Sequence, residues 1–329
     1  MKKSIFSILA LAAAFSVVFS SCGSGNSRKA GKDDLQGEVN ISGAFALYPM
    51  MLLWAEEFEQ MHPGVTINVS GGGAGKGMTD ALNGMVDFGM ISREIKPSEI
   101  EKGAWFIAVA CDAVVPTIHP SNPLYSEVLK RGLTRRQLEQ IFITGEITRW
   151  NQLYPGLAGA PDEAISVYTR SDACGAAETF AGYYGKHQED LLGIGINGDP
   201  GMAAVVQRDV YGIGYNNIGF GYDQQSRKPV EGLGIIPLDQ NENGVLDEEE
   251  DFYADVDVFS DAVKNNRYPA PPARSLYLAG LGYPQNPAAR AFVAYILDQG
   301  QALTSAGGYV ALPEELRQAQ LQKLQPENE

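Results

Sequence analysis

Apolar and polar residues alternate most cleanly at Val65, Ile67 and Val69, where every second position is a branched aliphatic side chain, and this spacing predicts a strand. Upstream, Met50, Met51, Trp54, Ala55 and Phe58 recur at the interval of one helical face, which predicts a helix over 47–60 with those residues in the core. Residues 38–41 read as an earlier strand, and Pro63-Gly64 turns the chain between that helix and the strand ending at Val69. A helix over 75–83 stops at Gly84, a residue suited to the position just past a helix end, and a short strand follows. This β–α–β–α–β order is that of an open α/β layout.

The remainder continues in the same vein. Residues 105–115 are apolar enough for a buried strand pair or one long strand ending at Pro116, followed by a helix over 133–142 and a turn with a short strand over 144–150. A strand over 165–169 leads to helices over 176–184 and 199–208, then to a glycine- and aromatic-rich strand and turn over 211–222. Residues 235–238 read as a strand, 268–278 as a proline-rich entry to another, and 287–297 and 300–306 as helices.

Two places break the periodicity in the same manner. Gly71, Gly72, Gly73 and Gly75 join a strand to a helix, and so does Arg170-Ser171-Asp172-Ala173-Cys174-Gly175. A glycine turn that opens a helix aims unpaired backbone N–H groups at one spot beside the positive end of the helix dipole, which suits an anion. Two such turns from separate parts of a chain can face each other across a cleft. The first is not a P-loop, because Gly75-Lys76 is followed by Gly77 rather than by Ser or Thr, and no G-x-G-x-x-G dinucleotide fingerprint is present in the stretch.

The net charge of −15 argues against a nucleic-acid partner, since the one basic run of the body, over 130–136, reads as the solvated start of a helix. An anion remains compatible with that charge, because a local set of N–H groups and one Arg decide such binding. Beyond Cys22 only Cys111 and Cys174 occur, too few for a disulfide framework, and buried free thiols are expected. Cys174 lies at a helix start, where a thiol pKa falls. His62, His119 and His187 are the only histidines and none stands in a recognisable motif, so an enzyme is not expected.

Met1-Lys2-Lys3, an apolar stretch over 5–19 and small residues Ser20 and Ser21 form a signal peptide over 1–21, too short for a comfortable membrane span. Small residues directly before Cys22 resemble a bacterial lipobox, with Phe19 where Leu is usual. That resemblance implies a lipidated Cys22, a polar tether over 22–36 and a cell-envelope lipoprotein held to the membrane through its lipid alone. Residues 239–250 fit the twelve-residue EF-hand loop: Asp239, Asn241, Asn243, Asp247 and Glu250 offer oxygens, Val245 a carbonyl, and Gly244 the sharp turn. A structural Ca2+ stiffening an exposed insertion is expected there.

Several blocks, in order, resemble the PstS-like phosphate-binding proteins of ABC transporters. Ser42 to Pro49 stands where that family has its first phosphate loop, Gly71 to Gly77 with Val86 to Arg93 where it has the second, and Arg170 to Ala176 where it has an Arg-x-Asp-Gly-Ser-Gly-Thr loop. Tyr211 to Tyr215, Tyr268 to Leu278 and the terminal Gly-Tyr-Val-x-Leu-Pro run match later blocks. The resemblance implies a two-lobed α/β periplasmic-binding-protein fold of type II, with one lobe over 37–115 and 275–329 and the other over 116–274. It also implies phosphate or a related oxyanion as ligand and an ABC permease as partner. Carried over by position, the ligand residues are Ala46, Leu47, Ala74, Gly75, Ser92, Arg170, Cys174, Gly175 and Ala176, with Asp172 as the carboxylate beside Arg170. The chain departs from the family where hydroxyls are usual, with Ala46, Ala74, Cys174 and Ala176 in their place, while Ser92 keeps one where many relatives have Asp. Each missing charge-assisted bond is worth about 1.5–3 kcal/mol. The alternative is therefore a degenerate receptor with another ligand or a sensory role.

Overall fold

The computed structural model describes residues 35–325. Strands occur in the order β1 (Gly37–Gly43), β2 (Val65–Gly71), β3 (Phe88–Ile91), β4 (Ala104–Ile118), β5 (Leu133–Thr134), β6 (Ser166–Arg170), β7 (Ile194–Ile196), β8 (Gly212–Asn217), β9 (Gly234–Ile235), β10 (Leu238–Asp239) and β11 (Ala273–Leu281). Nine of them form one sheet in the order β2-β1-β3-β11-β4-β8-β6-β7 with β9 on β4, and β5 and β10 pair by themselves. The first end is parallel, β1 lying between β2 and β3, and the far end is parallel through β7, β6 and β8. Between them β11 and β4 run antiparallel to their neighbours.

That sheet carries two separate cores. One gathers apolar residues from Val39 to Ala110 and from Leu276 to Leu312, including Trp54, Phe58, Phe88 and Phe292. The other gathers Ala113 to Tyr268, including Trp150, Phe180, Tyr215 and Phe259, together with Val310. The chain passes between cores on β4, just past Ala110, and returns on β11, just before Leu276; Cys111 packs against both. These are the two lobes of an α/β fold, and adjacent antiparallel strands connect them.

The helix Tyr48–Met61 buries Met50, Met51, Trp54, Ala55 and Phe58, the face its spacing predicts, and the Trp54 indole donates to the Gly300 carbonyl at 2.8 Å. Strand β4 does not end at Pro116. It runs on to Ile118, because it changes partner from β11 to β8 near Ala113, and Pro116 loses only a donor: its carbonyl still accepts the Ile236 N–H at 2.9 Å. The strand expected over 235–238 is two, β9 on β4 and β10 on β5, parted at Ile236-Pro237. The helix expected from Leu133 begins at Arg135, since Thr134 caps it reciprocally with Gln137 at 3.1 and 3.0 Å. Cys111 and Cys174 are free thiols. No described helix is long and apolar enough to cross a membrane. The expected signal peptide, Cys22 and most of the tether lie outside the described residues.

Candidate anion site between the lobes

Strand β6 delivers Arg170 into the interior as its last residue, with 1% of the side chain exposed. Its Nε and Nη2 donate to the two Asp172 oxygens at 2.8 and 2.6 Å, a fork-to-carboxylate pair, and Nη1 meets Asp199 Oδ2 at 2.9 Å. Asp172 also accepts the Gly198 N–H at 3.1 Å. Burial pushes the Asp172 carboxyl up, but the Arg170 hydrogen bonds and charge outweigh it and hold the group below the usual carboxylate range. Asp199 differs: its complete burial prevails over Arg170 and Arg274 and raises its pKa.

A second guanidinium belongs to the same network. The Asn217 side chain, at the end of β8, donates to Asp199 Oδ1 and accepts from Arg274 Nη2. Arg274 on β11 pairs with Asp112 Oδ2, its register partner on β4, at 2.8 Å. Its Nη1 donates to the Ser92 carbonyl at 2.8 Å and to Thr179 Oγ1 at 3.3 Å. Ser92 follows strand β3 of the first core, whereas Thr179 and Asn217 lie in the part of the chain that forms the second, so one side chain on a connecting strand holds both lobes. Arg170 is therefore not the only full positive charge here.

The glycine turns meet as their sequence suggests. Gly73, at φ 86°, would place a Cβ 2.9 Å from the Ala173 carbonyl oxygen and 3.1 Å from Asp172 Oδ2, and a Cβ on Gly175 would lie 2.1 Å from the Ser92 carbonyl oxygen. Only residues without a side chain allow the lobes this close. Ala74 opens the helix Ala74–Leu82, and Gly175 and Ala176 open the helix Gly175–Gly182; all three are buried. First-turn amides of a helix have no acceptor within it. Ala46 and Leu47 lie buried in the turn after β1, whose Phe45 ring lies against Gly71 and Gly198.

Three N–H groups expected to face an anion are instead bonded within the protein. Leu47 donates to the Ala44 carbonyl at 3.1 Å, Gly75 to the Ala173 carbonyl across the cleft at 3.2 Å, and Cys174 to Gln188 Oε1 at 3.0 Å. The turns touch each other directly, which gives Gly75 its acceptor, whereas Leu47 and Cys174 find theirs within their own lobes. Cys174 is not an activated thiol either: its Sγ caps the helix by accepting the Ala177 N–H at 3.3 Å, and burial pushes its pKa up to about 12. A cavity of about 940 Å3 does lie between the lobes, lined by Arg274, Arg93, Lys96, Glu178, His187 and Pro271, but none of the residues carried over as ligands lines it.

In the loop 239–250, Gly244 takes φ 82° as the sharp turn requires. Asp239 accepts the N–H groups of Asn243 and Gly244 at 3.2 and 2.8 Å, and Glu250 Oε1 accepts those of Gln240 and Asn241 at 2.9 and 3.1 Å. The amide nitrogens of Asn241 and Asn243 both donate to Asp247 Oδ2 at 2.8 Å, and the Val245 N–H donates to Asn243 Oδ1 at 2.9 Å. Among the described residues no three His, Cys, Asp or Glu side chains are placed to hold a metal ion. The loop enters from strand β10 and leaves through a turn, not a helix.

A lobed α/β fold with buried charge where two glycine turns meet defines a class of protein. Residues 24–299 match the model of the PBP superfamily domain, and the chain belongs to that superfamily. Within it the chain is a PstS-like substrate-binding protein. It is 26% identical over 322 residues to the phosphate-binding protein PstS of Pseudomonas aeruginosa, covering 88% of each chain. It is 28% identical over 224 residues to PstS of Bacillus subtilis, covering 65% of this chain and 71% of that one. Among solved structures, a substrate-binding protein assigned to a phosphate ABC transporter of Clostridium perfringens, with phosphate bound, superposes with a TM-score of 0.69 at 25% identity. That match covers 84% of this chain and 100% of the other.

Arg274, Asp112, Asp199 and Asn217 had no signal as site residues in the sequence. Arg274 lies in a block that carried the family resemblance, but nothing in its neighbours pointed to an ion pair with a residue some 160 positions earlier.

Proposed function

We propose that this protein binds phosphate or a related oxyanion at Arg170, between the Gly71–Gly77 and Arg170–Ala176 turns, and hands it to an ABC permease without chemical change. The observation that carries this reading is the buried Arg170 fork, fixed by Asp172 where both glycine turns converge. Its relatives are binding proteins rather than enzymes, and the raised Cys174 pKa removes the one candidate nucleophile. Residues 37–115 with 275–329 act as one lobe and 116–274 as the other, with the hinge at β4 and β11. Ligand donors are the helix-opening amides of Ala74, Gly175 and Ala176, the Ser92 hydroxyl and the Arg170 guanidinium; the Gly75, Cys174 and Leu47 amides join only if their present bonds break.

The test is a calorimetric phosphate titration of the wild type beside the triple variant Ala74→Ser, Cys174→Ser and Ala176→Thr. Each regained hydroxyl bond should add about 1 kcal/mol. Tight wild-type binding that the triple variant does not improve would mean that the lost hydroxyls never weakened the site. The Gly75–Ala173 bond, which joins the turns without an anion between them, favours a second reading: a receptor fold put to another ligand or a sensory use. Failure of both proteins to bind any oxyanion selects that reading.

Two further features complete the proposal. Cys22 is diacylated and anchors the chain in the cell envelope; Cys22→Ala should move it to the soluble fraction, and retention in the membrane fraction refutes the anchor. One Ca2+ binds Asp239, Asn241, Asn243, Val245, Asp247 and Glu250 once the two Asn side chains turn their oxygens inward from Asp247. Chelation should then lower the melting temperature of the wild type and leave the Asp239→Ala, Glu250→Ala double variant unmoved. An equal response from both proteins rules the ion out.

A further inference from the structure

The ion cluster around Arg170 holds more carboxylates than guanidinium groups. Arg170 and Arg274 face Asp112, Asp172 and Asp199, with side-chain exposures of 1% and 4% for the two cations and 0%, 13% and 4% for the carboxylates. Fully ionised, two cations and three anions leave a surplus negative charge before any ligand arrives. A buried dianion would add to that surplus in a medium that screens charge poorly. The carboxylate in its way is Asp199, because Asp199 Oδ2 occupies Nη1 of the guanidinium that an anion would use. Asp112 Oδ1 is buried with no hydrogen-bond partner, and so is the Nε of Arg274, so donors and acceptors in the cluster are not fully matched.

We infer that oxyanion binding at Arg170 draws one proton from solvent into this cluster, and that Asp199 Oδ2 carries it. The step is balanced: the anion takes the place of Asp199 Oδ2 at Nη1, Oδ2 loses its ion-pair partner, and the incoming proton from solvent lets Asp199 donate to an anion oxygen in turn. Asp199 Oδ1 stays with Asn217 throughout. The ligand class this selects is a dianion with an oxygen free to accept from a neutral carboxyl. The charged and titratable groups facing Asp199 are Arg170 on β6, Asp172 and Cys174 in the turn beyond it, Arg274 on β11, Asp112 on β4 and Tyr309 near the C-terminus. Burial raises both Asp199 and Asp112, which agrees with a proton being held there rather than on Asp172, whose pKa is lowered.

This inference rests on the oxyanion reading, and its test separates the two. Phosphate, at about pH 8 where it is mainly a dianion in solution, is titrated calorimetrically into the wild type and Asp199→Asn in two buffers of different ionisation enthalpy. The wild type should take up about one proton per phosphate, whereas Asp199→Asn should take up none and bind about tenfold more tightly. Binding by the wild type without proton uptake, or uptake that persists in Asp199→Asn, overturns the inference. A second arm needs no ligand. Because the folded-state pKa of Asp199 lies above its unfolded value, the wild type loses stability as pH rises from the unfolded pKa of about 3.9 to the folded one. Urea unfolding should therefore show a stability advantage of Asp199→Asn that widens over that window and is level beyond it. An advantage that does not change with pH overturns the proton at Asp199; failure of both proteins to bind phosphate, with the widening present, overturns the oxyanion reading and the coupling built on it while leaving the raised Asp199.

Discussion

Replacing Arg170 with alanine should leave no measurable phosphate binding and should cost about 3–5 kcal/mol of stability. The second effect follows from the pairing: Asp199 is buried and Asp172 partly buried against this guanidinium, and its loss takes the directly paired cation from both carboxylates. Arg170→Lys should recover part of the stability, since the charge returns, but little of the binding, because an ammonium cannot hold both Asp172 oxygens and present further donors in one plane. Calorimetry with phosphate and urea unfolding of the three proteins read the two effects apart. Retained phosphate affinity in Arg170→Ala would place the anion elsewhere.

Arg274→Ala should be comparably destabilising, because Asp112 is fully buried and Arg274 is its counter-charge. The informative companion is Arg274→Met with Asp112→Leu, which removes both charges and fills the space with apolar side chains. That pair should regain most of the stability lost by Arg274→Ala, since buried ion pairs gain little over hydrophobic packing. It should not regain phosphate affinity, because the bonds to the Ser92 carbonyl and to Thr179, which bring the lobes together, remain absent. Urea midpoints and phosphate titration check both halves. Full wild-type affinity in the double variant would show that Arg274 serves folding alone.

Much of this protein was legible along the chain because the relevant physics is local. The helix face at Met50, Met51, Trp54, Ala55 and Phe58, the alternation at Val65, Ile67 and Val69, and the two glycine turns each follow from spacing or from the conformational freedom of one residue type. Arg170 with Asp172 was legible for the same reason, being two residues apart on one strand end. The errors lay where partners change. Pro116 reads as a stop, yet β4 continues through it because β8 and Ile236 supply pairing from distant sequence. Leu133 reads as helix, yet it pairs with Leu238 and leaves Thr134 to cap.

The site divides along the same line. Residue identity alone determined that a guanidinium and a carboxylate stand at a glycine turn and that residues 239–250 carry oxygen ligands at EF-hand spacing, while the family resemblance implied that hydroxyls are missing around the turn. Tertiary structure alone decided that Asp199, Asn217, Arg274 and Asp112 extend the pair into a buried network with surplus negative charge, and that the turns bond to each other through Gly75 and Ala173. Burial is a property of the assembled lobes, and it sets whether a carboxylate is held down, as at Asp172, or pushed up, as at Asp199. No spacing rule encodes that difference, because the residues responsible come from β4, β6, β8 and β11 and meet only when the sheet has formed.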